Sequence, residues 1–345
     1  MTFKHLFTPL IFVFALWSEA SAGLPAPQNL MVPMSDGTQL ETRLFLPETD
    51  SGPWPTVLIR VVNGLDNPLL PRNPAFTDLG FAVVHQSCRG TGASQGQFRI
   101  HYDDGFGPDQ TDGADTIAWI REQPWSNDRV AMVGRSSNGM TQYFAASAYP
   151  EGLDALFIQV GASDLYQDLF YTNGSFRQSL ADGWVAGDGA DFLDNEILDR
   201  PLLDDEFWPF LDIAARLKDA TVPAVHRTGW FDVFRESTIE AFQVMQNSSD
   251  ARARGNQRLV IEAYGHGIQL PDERMDPDSY DWGLTTAFDS PALYDDEHAW
   301  LRYWMLGEET GVLDELPVSY FLLGSVDDEP GDIGNEWRFA RTWPP

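Results

Sequence analysis

Short apolar segments rich in β-branched residues alternate along this chain with segments whose apolar residues repeat at helical spacing. Residues 55–62 (PTVLIRVV), 80–87 and 129–134 are typical of strands that are buried on both faces of a parallel sheet. Residues 111–123, which begin with an N-cap-like Thr-Asp pair, and residues 138–149 have the helical spacing. This alternation predicts an α/β fold with a doubly wound, mostly parallel sheet.

The remaining segments divide the chain into predicted units. Strand-like runs also occur at residues 30–47, around a Ser-Asp-Gly-Thr turn, and at 153–161, 222–230, 258–265 and 317–324, and an amphipathic helix is predicted at 292–307. Between them, residues 165–218 are aromatic, irregular and rich in Gly and Asp, which predicts a helical cap inserted into the fold. The predicted α/β domain therefore comprises residues 23–164 and 219–312, and residues 313–345 begin a C-terminal β region.

The first 22 residues have the features of a signal peptide. Lys4 and His5 give a basic start, residues 6–17 form an apolar run, and Ala20-Ser21-Ala22 is an A-x-A cleavage site. The run is too short to span a bilayer, so a secretory signal is favoured over a membrane anchor. We therefore expect residues 1–22 to be removed and the protein to be exported, to the periplasm or outside the cell, and no later segment has the length of a membrane span.

Composition excludes several classes of function. The 345 residues contain 22 Lys and Arg against 52 Asp and Glu, a net charge of −30, and such a field repels nucleic acid and anionic membranes. Cys88 is the only cysteine, so the chain cannot form an internal disulfide. The sequence lacks the C-x-x-C and H-E-x-x-H metal patterns, and we expect neither a metal site nor an organic cofactor.

Three residues with complementary chemistry follow three predicted strands. Ser136 comes after the strand AMVG, Asp232 after HRTGW and His266 after LVIEAYG. In an open α/β sheet, ligands bind beyond the carboxyl ends of the strands. The order Ser, Asp, His is also the chain order of the triad in α/β-hydrolases. We therefore predict that the three side chains meet at one edge of the sheet.

Each residue type suits one step of acyl transfer. A serine hydroxyl needs a base to take its proton during attack. A histidine can accept that proton and return it to the leaving group, and a buried carboxylate orients the imidazole. The alternatives are a tight turn that happens to contain serines, and a turn aspartate at 232. His85 and His226 lie inside strand runs, where a core role is expected, whereas His266 follows a strand directly and lies between glycines.

Several blocks of the sequence resemble the CocE/NonD hydrolases, which include cocaine esterase, α-amino acid ester hydrolases and X-Pro dipeptidyl-peptidases. The blocks are SDGTQLETRLFLP, the RGTGASQGQF motif, the QPWSNDRVAMVGRSSNG segment with its elbow, TGWFDVF, YGHG and WLRYWMLG. The likeness covers most of the chain from about residue 30 onward. It implies an α/β-hydrolase fold with a cap and a jelly-roll-like C-terminal region. That region should extend beyond Pro345, so this β region is either naturally short or truncated.

The resemblance also implies roles for individual residues. Ser136 matches the nucleophile, Asp232 the acid and His266 the base, and the amide of Ser137 matches one oxyanion donor. Asn63 occupies the place where the family commonly has a tyrosine that helps to bind the oxyanion. An Asn amide can also donate a hydrogen bond, so Asn63 is the second predicted oxyanion donor.

The predicted function is that of an exported serine hydrolase that cleaves carboxylic esters, with amides as a further substrate class, through an acyl-enzyme. Its substrate would be a small ester or a short peptide, and aromatic residues near the site, Tyr166, Phe170 and Trp230, are candidates for the substrate pocket. The Glu-Asp pair that follows the acid in α-amino acid ester hydrolases is missing here. Two alternatives remain open: an X-Pro dipeptidyl-peptidase-like activity, and a non-catalytic binding protein with the same fold.

Overall fold

The computed structural model describes residues 26–48, 51–66, 75–107, 111–185, 189–203, 206–266, 291–324, 334 and 336–345, with the backbone alone for residues 291–295. The predicted signal peptide, residues 1–22, lies outside these ranges. Within them, none of the helices combines the length and the apolar character that crossing a bilayer requires.

Ten strands in the described part of the chain form one sheet, in the order β1-β2-β4-β3-β5-β6-β9-β10-β11-β12. Their bounds are β1 (Gln28–Pro33), β2 (Gln39–Phe45), β3 (Trp54–Val61), β4 (Ala82–Ser87), β5 (Ser126–Arg135), β6 (Leu153–Gln159), β9 (Ala224–Phe231), β10 (Gln257–Gly265), β11 (Val318–Leu322) and β12 (Glu336–Ala340), and a separate hairpin consists of β7 (Tyr171–Thr172) and β8 (Ser175–Phe176). The central strands from β4 to β11 pair in parallel, whereas β1, β2 and β12 pair antiparallel. The predicted α/β fold with a mostly parallel sheet is therefore confirmed.

Helices lie between the strands. Their bounds are α1 (Ala75–Asp78), α2 (Asp112–Arg121), α3 (Ser137–Ser147), α4 (Gln178–Leu180), α5 (Ala190–Phe192), α6 (Ala214–Leu217), α7 (Arg235–Gln246) and α8 (Pro291–Leu301). Single π-helical turns occur at Tyr166–Phe170, Ala181–Val185, Leu193–Ile197 and Arg302–Leu306, and a 3-10 turn at Trp208–Phe210.

The sheet is covered on both faces, as its continuous apolar strands require. Because neighbouring side chains of a strand point to opposite faces, Leu58 of β3 packs in a cluster with Met140 and Tyr143 of α3. Ile59 packs on the other side with Trp300 of α8. The two layers fix the sheet between helices and place the carboxyl ends of the parallel strands at one common edge.

The described residues of the predicted cap (165–185, 189–203 and 206–218) form short helical segments and the β7–β8 hairpin around an aromatic cluster. Trp208 is fully buried there, with its ring 4.8 Å from that of Tyr166. The predicted C-terminal β region, residues 313–345, contains strands β11 and β12. Its strands β11 and β12 extend the main sheet beside β10, because Val318 pairs with Leu259 on one side and Ala340 on the other.

Candidate active site

Ser136 occupies a sharp turn between a buried strand and a helix. Strand β5 ends at Arg135 and helix α3 begins at Ser137, so a single residue reverses the direction of the chain. Ser136 has φ 55° and ψ −123°, a backbone conformation that residues other than glycine rarely adopt. A strained residue persists only where its surroundings hold it, and here the Ser136 N–H donates to the Gln159 carbonyl at 2.9 Å.

Two glycines allow this turn to form. A Cβ atom at Gly134, whose φ is 147°, would lie 2.6 Å from the Cβ of Asn138. A Cβ at Gly139 would lie 2.9 Å from the carbonyl oxygen of Gln159 and 3.3 Å from the Cα of Gly161. The first turn of α3 therefore packs directly on the backbone that follows β6, and larger residues would push the helix away.

His266 connects Ser136 to Asp232. Its Nε2 lies 2.8 Å from the Oγ of Ser136, and its Nδ1 lies 2.8 Å from Oδ2 of Asp232. Ser136 and His266 are 130 residues apart in the chain, and their strands, β5 and β10, are separated in the sheet by β6 and β9. The structure thus brings together the three residues that the sequence places at strand ends.

Asp232 is held more firmly than His266. The side chain of Asp232 is 0% exposed, whereas that of His266 is 13% exposed. Oδ1 of Asp232 accepts the N–H of Phe234 at 2.7 Å, which leaves Oδ2 for the imidazole. The Phe234 ring also meets the imidazole edge-to-face, with 4.9 Å between centroids. Sequence reasoning missed Phe234, although its place two residues after the acid is typical of an Asx-type turn.

The two predicted oxyanion donors have different surroundings. Ser137 is the first residue of α3, and the first N–H groups of a helix have no acceptor within it. The helix dipole also favours negative charge at this end. Asn63 follows β3, is exposed, and lies in the wall of a cavity of about 500 Å³ together with Glu41 and Asp66. The donor role of both residues stays a prediction.

The predicted pocket residues lie in packed surroundings. Phe170 is fully buried, with its ring 6.1 Å from that of Trp208. The Tyr166 hydroxyl donates to the Pro201 carbonyl at 2.9 Å. The Trp230 Nε1–H donates to the carbonyl of Phe321 in β11 at 2.6 Å. Through these contacts, the three side chains pack within the protein. Their role in a substrate pocket stays a prediction.

His226 has the core role that its position inside a strand predicts. Its Nδ1 lies 2.8 Å from the Tyr143 hydroxyl, and its Nε2 lies 3.0 Å from Oε1 of Gln257. Burial lowers the pKa of His226 to about 4, so this ring is neutral in the folded protein at pH 7. Among the residues that the structure describes, we find no group of three or more His, Cys, Asp or Glu side chains arranged to hold a metal ion.

Sequence reasoning also missed a buried charge network below the ends of β3 and β4. Arg60 is fully buried, and its Nη1 lies 2.5 Å from Oδ1 of Asp104, whose Oδ2 lies 2.7 Å from Nδ1 of His101. Burial opposes the ionisation of Asp104, but Arg60 and His101 outweigh it and lower the pKa of Asp104 to about 2. The signal was present: a charged residue within the apolar run LIRVV needs a buried partner.

Arg89 of the RGTG motif ties two distant segments together. Its guanidinium binds both carboxylate oxygens of Asp112, at 2.6 and 3.0 Å, at the start of α2. It also donates to Asp36 at 2.7 Å and to Thr38 at 2.7 Å in the β1–β2 turn. A planar guanidinium suits this bidentate contact, so Arg89 fixes the turn and the helix around the loop that follows β4.

Comparison with known proteins agrees with this architecture. Residues 36–199 match the family model described as X-Pro dipeptidyl-peptidase (S15 family). The chain is 27% identical over 369 aligned positions to a cocaine esterase from Rhodococcus sp. (strain MB1 Bresler), with 92% of this chain and 60% of that protein covered.

Solved structures show the same fold. A CocE/NonD family hydrolase from Staphylococcus aureus superposes with a TM-score of 0.71 at 18% identity, covering 92% of this chain and 56% of that one. An α-amino acid ester hydrolase superposes with a TM-score of 0.69 at 20% identity, covering 98% and 61%. The chain therefore spans about 60% of the length of these proteins. Its sequence and fold are similar to those of the CocE/NonD, X-Pro dipeptidyl-peptidase-like α/β-hydrolases.

Proposed function

We propose that this protein hydrolyses carboxylic esters through an acyl-enzyme formed on Ser136. One observation carries the proposal: the continuous contact from the Ser136 hydroxyl through the His266 ring to Asp232, with both steps at 2.8 Å. The strained backbone of Ser136 supports it, because such strain is typical of functional turns. Cocaine esterase, a relative of this chain, is by its name an esterase.

In the proposed reaction, the Ser136 Oγ attacks the ester carbonyl carbon while Nε2 of His266 takes the hydroxyl proton. Asp232 accepts a hydrogen bond from Nδ1–H and stabilises the imidazolium. The tetrahedral intermediate collapses, its C–O bond to the alcohol breaks, and His266 returns the proton to the leaving oxygen. Water then attacks the acyl-enzyme with His266 again as base, which releases the acid and restores Ser136.

The negative charge on the carbonyl oxygen needs hydrogen-bond donors in the transition state. We propose the N–H of Ser137 as the first donor and the side-chain amide of Asn63 as the second. Loss of one such donor slows related reactions by about 100- to 1000-fold. Asn63→Ala should therefore lower kcat by about that factor with little change in KM, and Asn63→Tyr should retain activity. Unchanged turnover of Asn63→Ala would exclude Asn63 as a donor.

A fluorophosphonate probe tests the proposed nucleophile, because it phosphonylates only serines that a base activates. We expect stoichiometric labelling that peptide mapping places on Ser136, and none in a folded Ser136→Ala variant. Ser137→Ala is the matched control, since it removes the adjacent hydroxyl and keeps the backbone amide. Folded protein that is not labelled would favour a non-catalytic binding protein over a hydrolase.

The match to the X-Pro dipeptidyl-peptidase family model favours a second candidate activity, cleavage after an N-terminal X-Pro dipeptide. A panel of p-nitrophenyl esters of increasing acyl length, compared with Gly-Pro-p-nitroanilide, separates the two. We expect higher kcat/KM for the esters, because Asp232 is followed by Val-Phe-Arg and the carboxylate pair of amino-ester hydrolases is missing. Faster cleavage of the anilide would reverse the assignment.

We further propose that the protein is exported and loses residues 1–22. The basic start, the apolar run and the Ala-Ser-Ala site support this proposal. N-terminal sequencing of the mature protein should begin at Gly23. An intact Met1 on protein from the cytoplasmic fraction would contradict export.

A further inference from the structure

Helix α7 lacks an N-cap side chain of its own. It begins at Arg235, three residues after Asp232, and Phe234 occupies its N-cap position without a side-chain hydrogen bond. The first N–H groups of a helix have no acceptor within it, and a phenylalanine ring cannot supply one. Since Ser237 in this first turn is buried, its N–H needs an acceptor from elsewhere in the protein.

Asp168 of the predicted cap supplies that acceptor. Its Oδ2 accepts the Ser237 hydroxyl at 2.5 Å and the Ser237 N–H at 3.3 Å. Ser237 is the third residue of α7, a position whose N–H an N-cap side chain normally binds. The carboxylate also lies at the end of the helix where the dipole favours negative charge. Asp168, which precedes Ser237 by 69 residues, therefore caps α7 from a different element.

Asp168 pays for this buried position with a raised pKa. The residue is 6% exposed, and burial raises its pKa to about 6. The hydrogen bonds from Ser237 and the charge of Arg177 oppose the shift, whereas the charge of Glu236 adds to it. The group is therefore mostly ionised above pH 7, where a charged acceptor forms stronger hydrogen bonds than a neutral one.

The same turn of α7 is bonded to the segment that follows β6. The Ser163 N–H donates to Oγ of Ser237 at 3.2 Å, and the Ser163 hydroxyl donates to the Ser237 carbonyl at 3.2 Å. The Thr238 hydroxyl donates to the Gly161 carbonyl at 2.8 Å. Because Oγ of Ser237 already accepts from Ser163, its own hydrogen is directed to Asp168. Removal of the carboxylate would leave a buried hydroxyl and a buried N–H without this acceptor.

Phe234 connects the turn to the candidate triad. Its carbonyl accepts the N–H of Thr238 at 3.1 Å, and its own N–H donates to Asp232 at 2.7 Å. Its ring, which is buried, meets the ring of His266 edge-to-face with 4.9 Å between centroids. A first turn of α7 that loosens would therefore release the side chain that packs against the imidazole.

We propose that Asp168 is a positioning residue of the proposed hydrolase. Its contact with the first turn of α7 holds Phe234 in place, and Phe234 in turn holds the ring of His266 against Asp232. Asp168 thus acts through the helix and not on the substrate. This inference rests on the proposed function, because the orientation of His266 matters for the proton that it takes from Ser136.

The Asp168→Ala variant tests this role through the division of its effect between kcat and KM. For a p-nitrophenyl ester we expect kcat to fall about 10- to 100-fold, since displacement of a catalytic group by up to about 1 Å can cost that much. KM should change less than about twofold, because the ester itself does not contact Asp168. Asp168→Asn should recover most of the loss, since asparagine caps helices about as well as aspartate. Wild-type kcat in a folded Asp168→Ala variant would overturn the role.

Ser248→Ala is the matched control, because it removes a buried hydrogen bond beyond the opposite end of α7. The Ser248 hydroxyl donates to the Ala220 carbonyl at 2.7 Å, and the residue is fully buried. This variant should lower the urea midpoint of unfolding, as Asp168→Ala should, and leave kcat unchanged. An equal loss of kcat in Ser248→Ala would assign the effect to a general loosening of the fold and would overturn the proposal.

Proton NMR reads the position of the imidazole without turnover. The N–H between His266 and Asp232 gives a low-field signal while the pair is held together and shielded from water. We expect this signal to broaden through faster exchange with water in Asp168→Ala and to stay sharp in Ser248→Ala. If Asp168→Ala does not fold, Ser237→Ala replaces it: this variant keeps the N–H contact, removes the hydroxyl contact and should lower kcat several-fold.

The outcomes separate the two proposals. Ester hydrolysis by the wild type, with unchanged kcat and an unchanged low-field signal in the folded variants of Asp168 and Ser237, would overturn the positioning role alone. A folded wild type that hydrolyses no ester would overturn the proposed function, and the positioning role with it.

Discussion

At the scale of single residues, the backbone of Ser136 is the least relaxed feature of the site. Its φ of 55° and ψ of −123° are accessible to glycine at low cost, whereas a side chain there costs about 1–3 kcal/mol. The turn keeps this cost because the serine hydroxyl must reach Nε2 of His266. Stability and function therefore oppose each other at this position.

Two substitutions at Ser136 measure the strain of this turn. Ser136→Ala keeps a Cβ and hence the strain, whereas Ser136→Gly removes both. We expect the free energy of unfolding of Ser136→Gly to exceed that of Ser136→Ala by about 1 kcal/mol, after allowance for the greater flexibility of glycine in the unfolded chain. Urea denaturation followed by fluorescence measures the difference. A glycine variant less stable than the alanine variant would mean that the turn is unstrained.

The three candidate site residues could be predicted from the sequence. Ser136, Asp232 and His266 could be chosen because each follows a buried strand, and parallel strands end at one edge. The N–H contact of Phe234 with Asp232 follows an Asx-type pattern, whereas the contact of its ring with His266 depends on the path of the chain after β9. The place of Asn63 in a cavity wall likewise depends on how the loops after β3 and β4 pack against each other.

At the scale of elements, the closeness of α3 to the chain after β6 decides where the nucleophile lies. The Gly139→Ala variant should be less stable by about 1–3 kcal/mol and slower in turnover, because its methyl group would meet the Gln159 carbonyl and push the helix outward. Gly183→Ala is the matched control: a Cβ at Gly183 meets no atom within 4 Å. Thermal unfolding and ester turnover should separate the two variants, and equal behaviour would show that α3 can shift without cost.

Helix α8 carries a pH-sensitive buried group, Glu297. Burial raises the pKa of Glu297 to about 8, although Arg227 of β9 partly opposes the shift. Since the folded state then binds a proton that the unfolded state releases near pH 4.5, this group destabilises the fold progressively as pH rises from about 4.5 to about 8.

Replacement of this carboxyl group tests its effect. Glu297→Gln should be more stable than the wild type at pH 9, and the advantage should shrink as pH falls toward 5, where Glu297 is protonated. Urea denaturation at a series of pH values measures both proteins. A difference that does not change with pH would contradict the raised pKa.

The elements themselves were largely predictable, for a physical reason. Strands buried on both faces must be continuously apolar, so the runs at residues 55–62 and 153–161 identify β3 and β6. The position of the C-terminal strands in the sheet was harder to predict. Nothing in residues 317–324 indicates that β11 joins the main sheet beside β10, because pairing partners far apart in the chain leave no local pattern.

At the scale of the whole molecule, the net charge of −30 is the dominant property. Like charges repel more in the compact folded state than in the expanded unfolded chain. Raising the salt concentration from about 10 mM to about 150 mM shortens the Debye length from about 30 Å to about 8 Å. We therefore expect the urea midpoint of unfolding to rise with sodium chloride. A midpoint that falls would mean that favourable ion pairs outweigh the repulsion.

In the proposed reaction, Ser136, His266 and Asp232 act as one unit on an acyl group. Rapid-quench mass spectrometry with p-nitrophenyl acetate tests it most directly. We expect an acetyl group on the peptide that contains Ser136, formed in a burst by the wild type and about 10⁴-fold more slowly by Asp232→Asn, as for other triads. Acetylation at another residue, or at the same rate in Asp232→Asn, would contradict it.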